Sequence, residues 1–318
     1  MRTANRHMRY RRSVYRKRRI KIILISSIIA IVVGFLLFII IGNALNNKVE
    51  NNISQRKEKA STTQIVEHSV VKSVYAHPVP LSDESSKLST RLSRLKESGI
   101  SDVCFELNSL QGTWLYSSAV AQSLGKQMAG VDLWSLGDVA SLCDENGLYA
   151  TGIIYLNDFN NDNDLNRTAA LGYYSAQIAE ALREGLDDVL IYVGDIPTEQ
   201  RYDELIGLAN DVHRLCPQGH IGLSLPPTVF ANTDMSGTVD SLWANFDYLA
   251  VDLSTTPADT DAADYVDQQL GSMLYYLLRY NVRALLPYSD DNAQLDKVVS
   301  VVKSNGSQNI QIMPYKEN

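Results

Sequence analysis

From Val70 onward, the apolar positions of the chain switch repeatedly between two patterns: short runs or strict alternation, and spacing near 3.6. The first pattern predicts strands, and the second predicts helices that bury one face. Strands are expected at 71–77 "VKSVYAH", 102–108 "DVCFELN", 149–156 "YATGIIYL" and 187–194 "DDVLIYVG". Four more are expected at 220–226 "HIGLSLP", 247–254 "DYLAVDLS", 282–288 "VRALLPY" and 308–314 "QNIQIMP". Amphipathic segments around 85–98, 132–146, 168–184, 199–215, 237–245, 261–280 and 292–304 separate them. Gly99, Gly147, Gly185 and Gly306 fall just past helices, and Pro217 follows another, where chain breakers belong. Eight strands alternating with seven helices over about 250 residues is the count of a (β/α)8 TIM-like barrel. An eighth helix is missing from the pattern, or its place is filled by the segment preceding the first strand. A doubly wound open sheet fits less well, because no Gly-rich phosphate-binding turn follows the first strand.

Successive side chains of a strand point to opposite faces, so parity sorts the barrel interior from the helix layer. Val103, Phe105 and Leu107 are expected to face outward, leaving Cys104, Glu106 and Asn108 inward. Leu249, Val251 and Leu253 leave Tyr248, Ala250, Asp252 and Ser254 inward in the same way. Ser73, Tyr75 and His77 are taken as the inner row of the first strand, and Gly222, Ser224 and Pro226 as that of the fifth. In the fourth strand the inner row is Leu190, Tyr192 and Gly194, with Asp195 stranded at the rim. Glu106 and Asp252 lie near the C-terminal ends of their strands, where barrel enzymes place catalytic side chains. Two carboxylates at such a mouth suit glycoside hydrolysis, and strands this far apart favour the wider, inverting separation. Glu106 and Asp252 are therefore candidate acid and base, with Asp195 assisting from its loop; a buried, loop-pinning role is the competing reading.

Charge changes the picture at the N-terminus. Residues 1–21 hold ten Lys/Arg and no acid, so the remainder carries 19 basic residues against 36 acidic ones. Residues 22–42, "IILISSIIAIVVGFLLFIIIG", form 21 positions without a charge, enough to cross about 30 Å of hydrocarbon as a helix. The segment exceeds the apolar region of a secretory signal, although Gly42-Asn43-Ala44 offers small residues for cleavage. The expected organisation is a basic cytoplasmic arm (1–21), a transmembrane signal anchor (22–42), a polar stalk (43–69) and an extracellular barrel (70–318). The arm then marks topology and attraction to anionic headgroups, and an acidic body excludes nucleic acid as partner. Localisation is predicted to be the cell membrane, single-pass.

The fourth to sixth strands resemble a known group. The stretch Gly185-Leu186-Asp187 followed by Tyr192-Val193-Gly194-Asp195-Ile196-Pro197 is similar to the G-F-D-x-x-x-x-D-Y-x-R-F-P strand of the bacterial glycosyl-hydrolase-like barrels. That family is related in layout to chitinase-like family 18 glycosidases. The family's aspartate falls on Tyr192 and its arginine on Asp195; the chitinase acids of D-G-x-D-x-D-x-E fall on Leu190, Tyr192 and Gly194. "FDYLAVDLS" (246–254) resembles the chitinase-like sixth strand, with Asp252 near its acidic position, and "IGLSLPP" (221–227) is similar to the fifth. The resemblance implies a glycosidase-type barrel acting on glycan, and the unmatched fourth-strand acids imply lost chemistry.

Other chemistry is thin. Five histidines show no HExxH spacing, three cysteines show no CxxC, and no GxSxG elbow is present. Cys104 reads as a small core residue. The loop 157–167 "NDFNNDNDLNR" is dense in oxygen ligands but lacks the glycine and glutamate of an EF-hand, so a helix-capping loop outranks a Ca²⁺ site. No cofactor or metal is expected. Aromatic rings near strand ends suit stacking on sugars, which makes Trp114, Tyr155, Tyr192 and Tyr288 candidate substrate contacts, together with His77 and Asn108. The expected function is a membrane-anchored, glycoside-hydrolase-like barrel, catalytically impaired, binding cell-wall or other glycan. An active hydrolase using the mouth carboxylates and a non-enzymatic envelope interaction module stay open as alternatives.

Overall fold

The computed structural model describes residues 75–81, 85–130, 133–156, 164–194, 199–257, 259–280 and 282–314. Eight parallel strands close into a barrel in sequence order, with the last pairing back onto the first. The strands are β1 (Tyr75–Pro78), β2 (Asp102–Glu106), β3 (Tyr149–Tyr155), β4 (Asp188–Tyr192), β5 (His220–Leu225), β6 (Tyr248–Asp252), β7 (Arg283–Leu286) and β8 (Ile310–Ile312). The first helices are α1 (Ser85–Glu97), α2 (Ala119–Ser123), α3 (Leu136–Glu145), α4 (Asp164–Arg183) and α5 (Glu199–Leu215). There follow α6 (Pro227–Ala231), α7 (Ser236–Trp243), α8 (Ala262–Ser272), α9 (Leu274–Tyr280) and α10 (Asn292–Ser304). The segment expected as one helix over 261–280 is two, broken at Met273, which caps α8 with φ −118°. The anchor 22–42 and stalk 43–69 lie outside the described residues, and among those residues no helix is long and apolar enough to cross a membrane.

Local sequence sets the element ends. Ser135, Asp261 and Asp291 cap α3, α8 and α10 by accepting from first-turn backbone N–H groups, which satisfies donors the helix cannot pair itself. Gly147 and Gly185, past α3 and α4, take φ of 60° and 108°, a region that favours glycine.

Two cores result from strand parity. Val103, Phe105, Val189, Ile191, Leu249 and Val251 pack with the helices in the outer core. Cys104, Ile153, Leu190, Ala250 and Leu285 fill the barrel itself. Burial pushes the Cys104 thiol well above its ordinary pKa, in keeping with an inert core residue. The first strand differs from its expected parity. β1 pairs Ala76 with Asp102 and His77 with the outward-facing Val103, so Ala76 and Pro78 share the inner row, and Tyr75 packs against the outer core. With only four residues and no alternating apolar row, β1 offers little periodicity from which to read a face.

The barrel floor is polar. Arg283, Asp188, Tyr248 and Asp102 open their strands, and Gln311 sits within β8. The Arg283 guanidinium lies 3.1 Å from Asp188 Oδ2 and donates to Tyr248 Oη and Gln311 Oε1 at 3.0 Å each. Burial works against this charge, but Tyr248 and Asp188 outweigh it and hold the arginine pKa above its ordinary value. The Tyr248 ring lies across Gly222, where an added Cβ would sit 2.1 Å from ring carbons. Arg283 at 3.9 Å from the ring centroid limits the room into which Tyr248 can retreat. Gly222→Ala is expected to cost about 1–3 kcal/mol by overpacking, seen as a lower midpoint in urea denaturation.

Candidate functional site

The C-terminal end of the barrel gathers the last residues of four strands: Glu106 from β2, Tyr155 from β3, Tyr192 from β4 and Asp252 from β6. Strand pairing aligns Tyr155 with Tyr192 and Tyr192 with Ser224, so these side chains share one rim layer. Tyr155 Oη donates to Glu106 Oε1 at 2.6 Å, and Tyr192 Oη donates to Asp252 Oδ2. The two rings meet edge to face, with centroids 5.2 Å apart. The other Asp252 oxygen, Oδ1, accepts from Ser254 Oγ at 2.5 Å and from the Ser254 backbone N–H at 3.0 Å. Carboxylate, ring, ring and carboxylate thus form a bridge from β2 to β6, with both carboxylates half-buried and both tyrosines buried.

Electrostatics within the bridge keep the Tyr155 proton in place. Burial first, and then the adjacent Glu106, raise the Tyr155 hydroxyl pKa well above its ordinary value. Tyr155 is therefore a hydrogen-bond donor rather than a phenolate. Every hydrogen bond described for Asp252 uses the aspartate as acceptor. A general acid for glycoside cleavage must instead present a carboxyl proton to the leaving oxygen.

The remaining candidate residues divide. Asn108 is buried; its Nδ2 donates to Tyr155 O and its Oδ1 accepts from Tyr155 N, both at 2.9 Å. Its polar atoms pin the β2 loop to the end of β3, which differs from the expected sugar contact. Trp114 is 1 % exposed and lies between Tyr116 and Tyr173, edge to face at 5.8 Å from each. It packs the long segment after β2 onto α4 and offers no face to a sugar. Tyr116 reinforces that packing by donating to Glu180 at 2.9 Å. His77 stands on the outer parity of β1 and meets Tyr288 edge to face at 6.5 Å. Burial is the largest influence on His77 and lowers its pKa, so it enters the neutral range below the usual histidine value. Asp195 and the oxygen-rich stretch 157–163 lie outside the described residues. Among the described residues, no three His, Cys, Asp or Glu side chains gather to hold a metal.

Tyr288 belongs instead to a groove that sequence reasoning did not find. The loops after β6 and β7, with the starts of α8 and α10, line a half-open groove of about 200 Å³ that includes Thr256, Pro257, Pro287, Tyr288, Ser289 and Gln294. The groove begins two residues beyond Ser254, since Leu285 pairs with Asp252 and brings both loops to the same height. The signal was present in paired Thr-Pro and Pro-Tyr-Ser segments just past adjacent strands, 256–257 and 287–289.

Comparison with known proteins gives the fold a context. No protein-family model matches the sequence, and no curated protein matches it either. Among solved structures, a protein assigned as an α-L-fucosidase from Bacteroides thetaiotaomicron superposes with a TM-score of 0.55 at 12% identity, over 76% of this chain and 87% of that one. Cel5A of Thermotoga maritima, seen in complex with cellobiose, gives 0.48 at 8% identity, over 77% and 91%. The spore cortex-lytic enzyme SleL of Bacillus cereus gives 0.45 at 10%, over 76% and 71%. At such identities the likeness is one of fold: this chain shares the (β/α)8 barrel that glycosidases also use.

Proposed function

We propose that this protein is a glycan-binding barrel of glycoside-hydrolase type whose mouth carboxylates serve as hydrogen-bond acceptors rather than as an acid–base pair. The observation that carries the reading is the engagement of both Asp252 oxygens, by Tyr192 on one side and by two donors of Ser254 on the other. A ligand arriving at this mouth meets an Asp252 whose two oxygens are already engaged, and finds Tyr155 and Tyr192 between the two carboxylates. What the mouth presents is polar: the half-buried Glu106, Asp252 and Ser254, over the buried rings of Tyr155 and Tyr192, groups suited to sugar hydroxyls. The resemblance of the fourth to sixth strands to glycosyl-hydrolase-like barrels supports glycan as the ligand class. The fourth-strand departures at Leu190, Tyr192 and Gly194 support the loss of turnover.

The barrel is placed outside the cell, tethered by residues 22–42 with the basic arm in the cytoplasm. Support for this comes from the uncharged 21-residue segment and the ten Lys/Arg that precede it. The second reading, an active hydrolase, draws on one observation: Glu106 and Asp252 both end their strands at the catalytic face of the barrel. A glycan array probed with the detergent-solubilised full chain tests the ligand class. Retention on cell-wall-type glycans is expected, whereas a blank array together with capture of an envelope protein would favour the interaction-module alternative.

A further inference from the structure

The groove between the β6 and β7 loops has a chemistry distinct from that of the bridge beside it. Its described lining carries no charged side chain. The lining mixes apolar surface, from Pro257, Pro287 and the ring of Tyr288, with the polar residues Thr256, Ser289 and Gln294. Thr256 Oγ1 is buried and has no hydrogen-bond partner. A buried hydroxyl in that state costs about 1–3 kcal/mol unless something arrives to pair with it. Gln294 Oε1 accepts from Ser289 Oγ at 3.2 Å, which aligns two of the polar groups with each other. Tyr288 is steadied from the β1 side by His77.

Size and surroundings narrow the occupant. At about 200 Å³ the groove is smaller than pockets for drug-sized ligands, which run from about 300 to 1,000 Å³. It holds one ring, not an oligosaccharide. Asp291 caps α10, Asp290 accepts from the Tyr288 hydroxyl, and Asp252 precedes the groove on the chain. Asp261 is paired with Lys297, and the Arg91 cation also acts on Tyr288. The lining itself carries no cation, so a carboxylate or sulfate would find no partner in the groove.

We propose that this groove is a binding subsite for one uncharged pyranose ring of a glycan whose chain continues toward the barrel mouth. The inference rests on the glycan-binding reading and adds to it the charge class and the place of the bound ring. Tyr288 and the prolines meet the CH face of the sugar, and Thr256 Oγ1 pairs with a ring hydroxyl.

The test uses the full chain in detergent, with neutral and uronic-acid glycans on one array and calorimetry on the best-bound neutral oligosaccharide. Wild type is expected to retain neutral glycans and pass over uronates. Thr256→Val is expected to weaken binding about five- to tenfold, Thr256→Ser to bind as wild type does, and Tyr288→Ala to weaken binding more than about tenfold. Melting temperatures of the Thr256 variants serve as the folding control. Unchanged affinity in Thr256→Val and Tyr288→Ala, with wild-type melting, would overturn the subsite while leaving glycan binding in place. Preference for uronates would overturn the charge class, and retention of no glycan at all would overturn both the subsite and the reading beneath it.

Discussion

Replacing Arg283 with methionine is expected to cost about 3–5 kcal/mol of folding stability. Arg283 is 3 % exposed and Asp188 1 %, so neither group reaches water. Without the guanidinium, Asp188 would lose its ion pair while its other oxygen, Oδ1, already has no hydrogen-bond partner. Tyr248 and Gln311 would lose a shared donor at the same stroke. The cost comes from stranding a buried charge, not from the intrinsic worth of an ion pair. The double variant Arg283→Met with Asp188→Leu should therefore recover most of the loss, because a buried pair replaced by apolar groups is often neutral. Urea denaturation of wild type, single and double variants measures both effects. A single variant with a wild-type midpoint would contradict this account of the floor.

Trp114→Ala carries the second large effect, about 3–5 kcal/mol for emptying a buried indole site. The indole fills the space between Tyr116 and Tyr173, while the Trp114 backbone bridges to Asn108 and Met128. Losing the ring therefore removes its packing of segment 109–130 on α4 and leaves the bridges. The sequence places Trp114 among sugar-stacking candidates, and the two roles separate cleanly. A packing role predicts a fall in melting temperature with glycan affinity preserved below the transition. Wild-type melting with lost affinity would return Trp114 to the binding face.

Strand parity made much of the barrel legible. The outward rows of β2, β4 and β6 form the outer core, and Cys104, Leu190, Tyr192, Tyr248 and Ala250 face inward as their alternation predicts. The rim position of Glu106 and Asp252 followed from the same alternation. Their hydrogen-bond partners did not, because Tyr155 lies 49 residues from Glu106 and Tyr192 lies 60 from Asp252. The floor escaped notice for a related reason: Asp188 and Arg283 sit 95 residues apart, and each alone reads as a polar strand start. Inward parity was the available clue, since Asp188 shares its row with Leu190 and Tyr192. The burial of Trp114 was not legible where periodicity gives out, in an irregular segment whose packing depends on what α4 presents to it, and the bonds of Asn108 to Tyr155 needed the neighbouring strand. His77 fell to a strand of four residues, too short for alternation to name a face.

The central claim is binding without turnover, and release of reducing ends tests it most directly. The full chain is incubated with the glycan it retains best, beside Asp252→Asn, and new reducing ends are counted. The account predicts none from either protein while both keep the ligand bound. Steady release by wild type that Asp252→Asn abolishes would contradict it, and would mean that the Tyr192 bridge opens to free a working carboxylate.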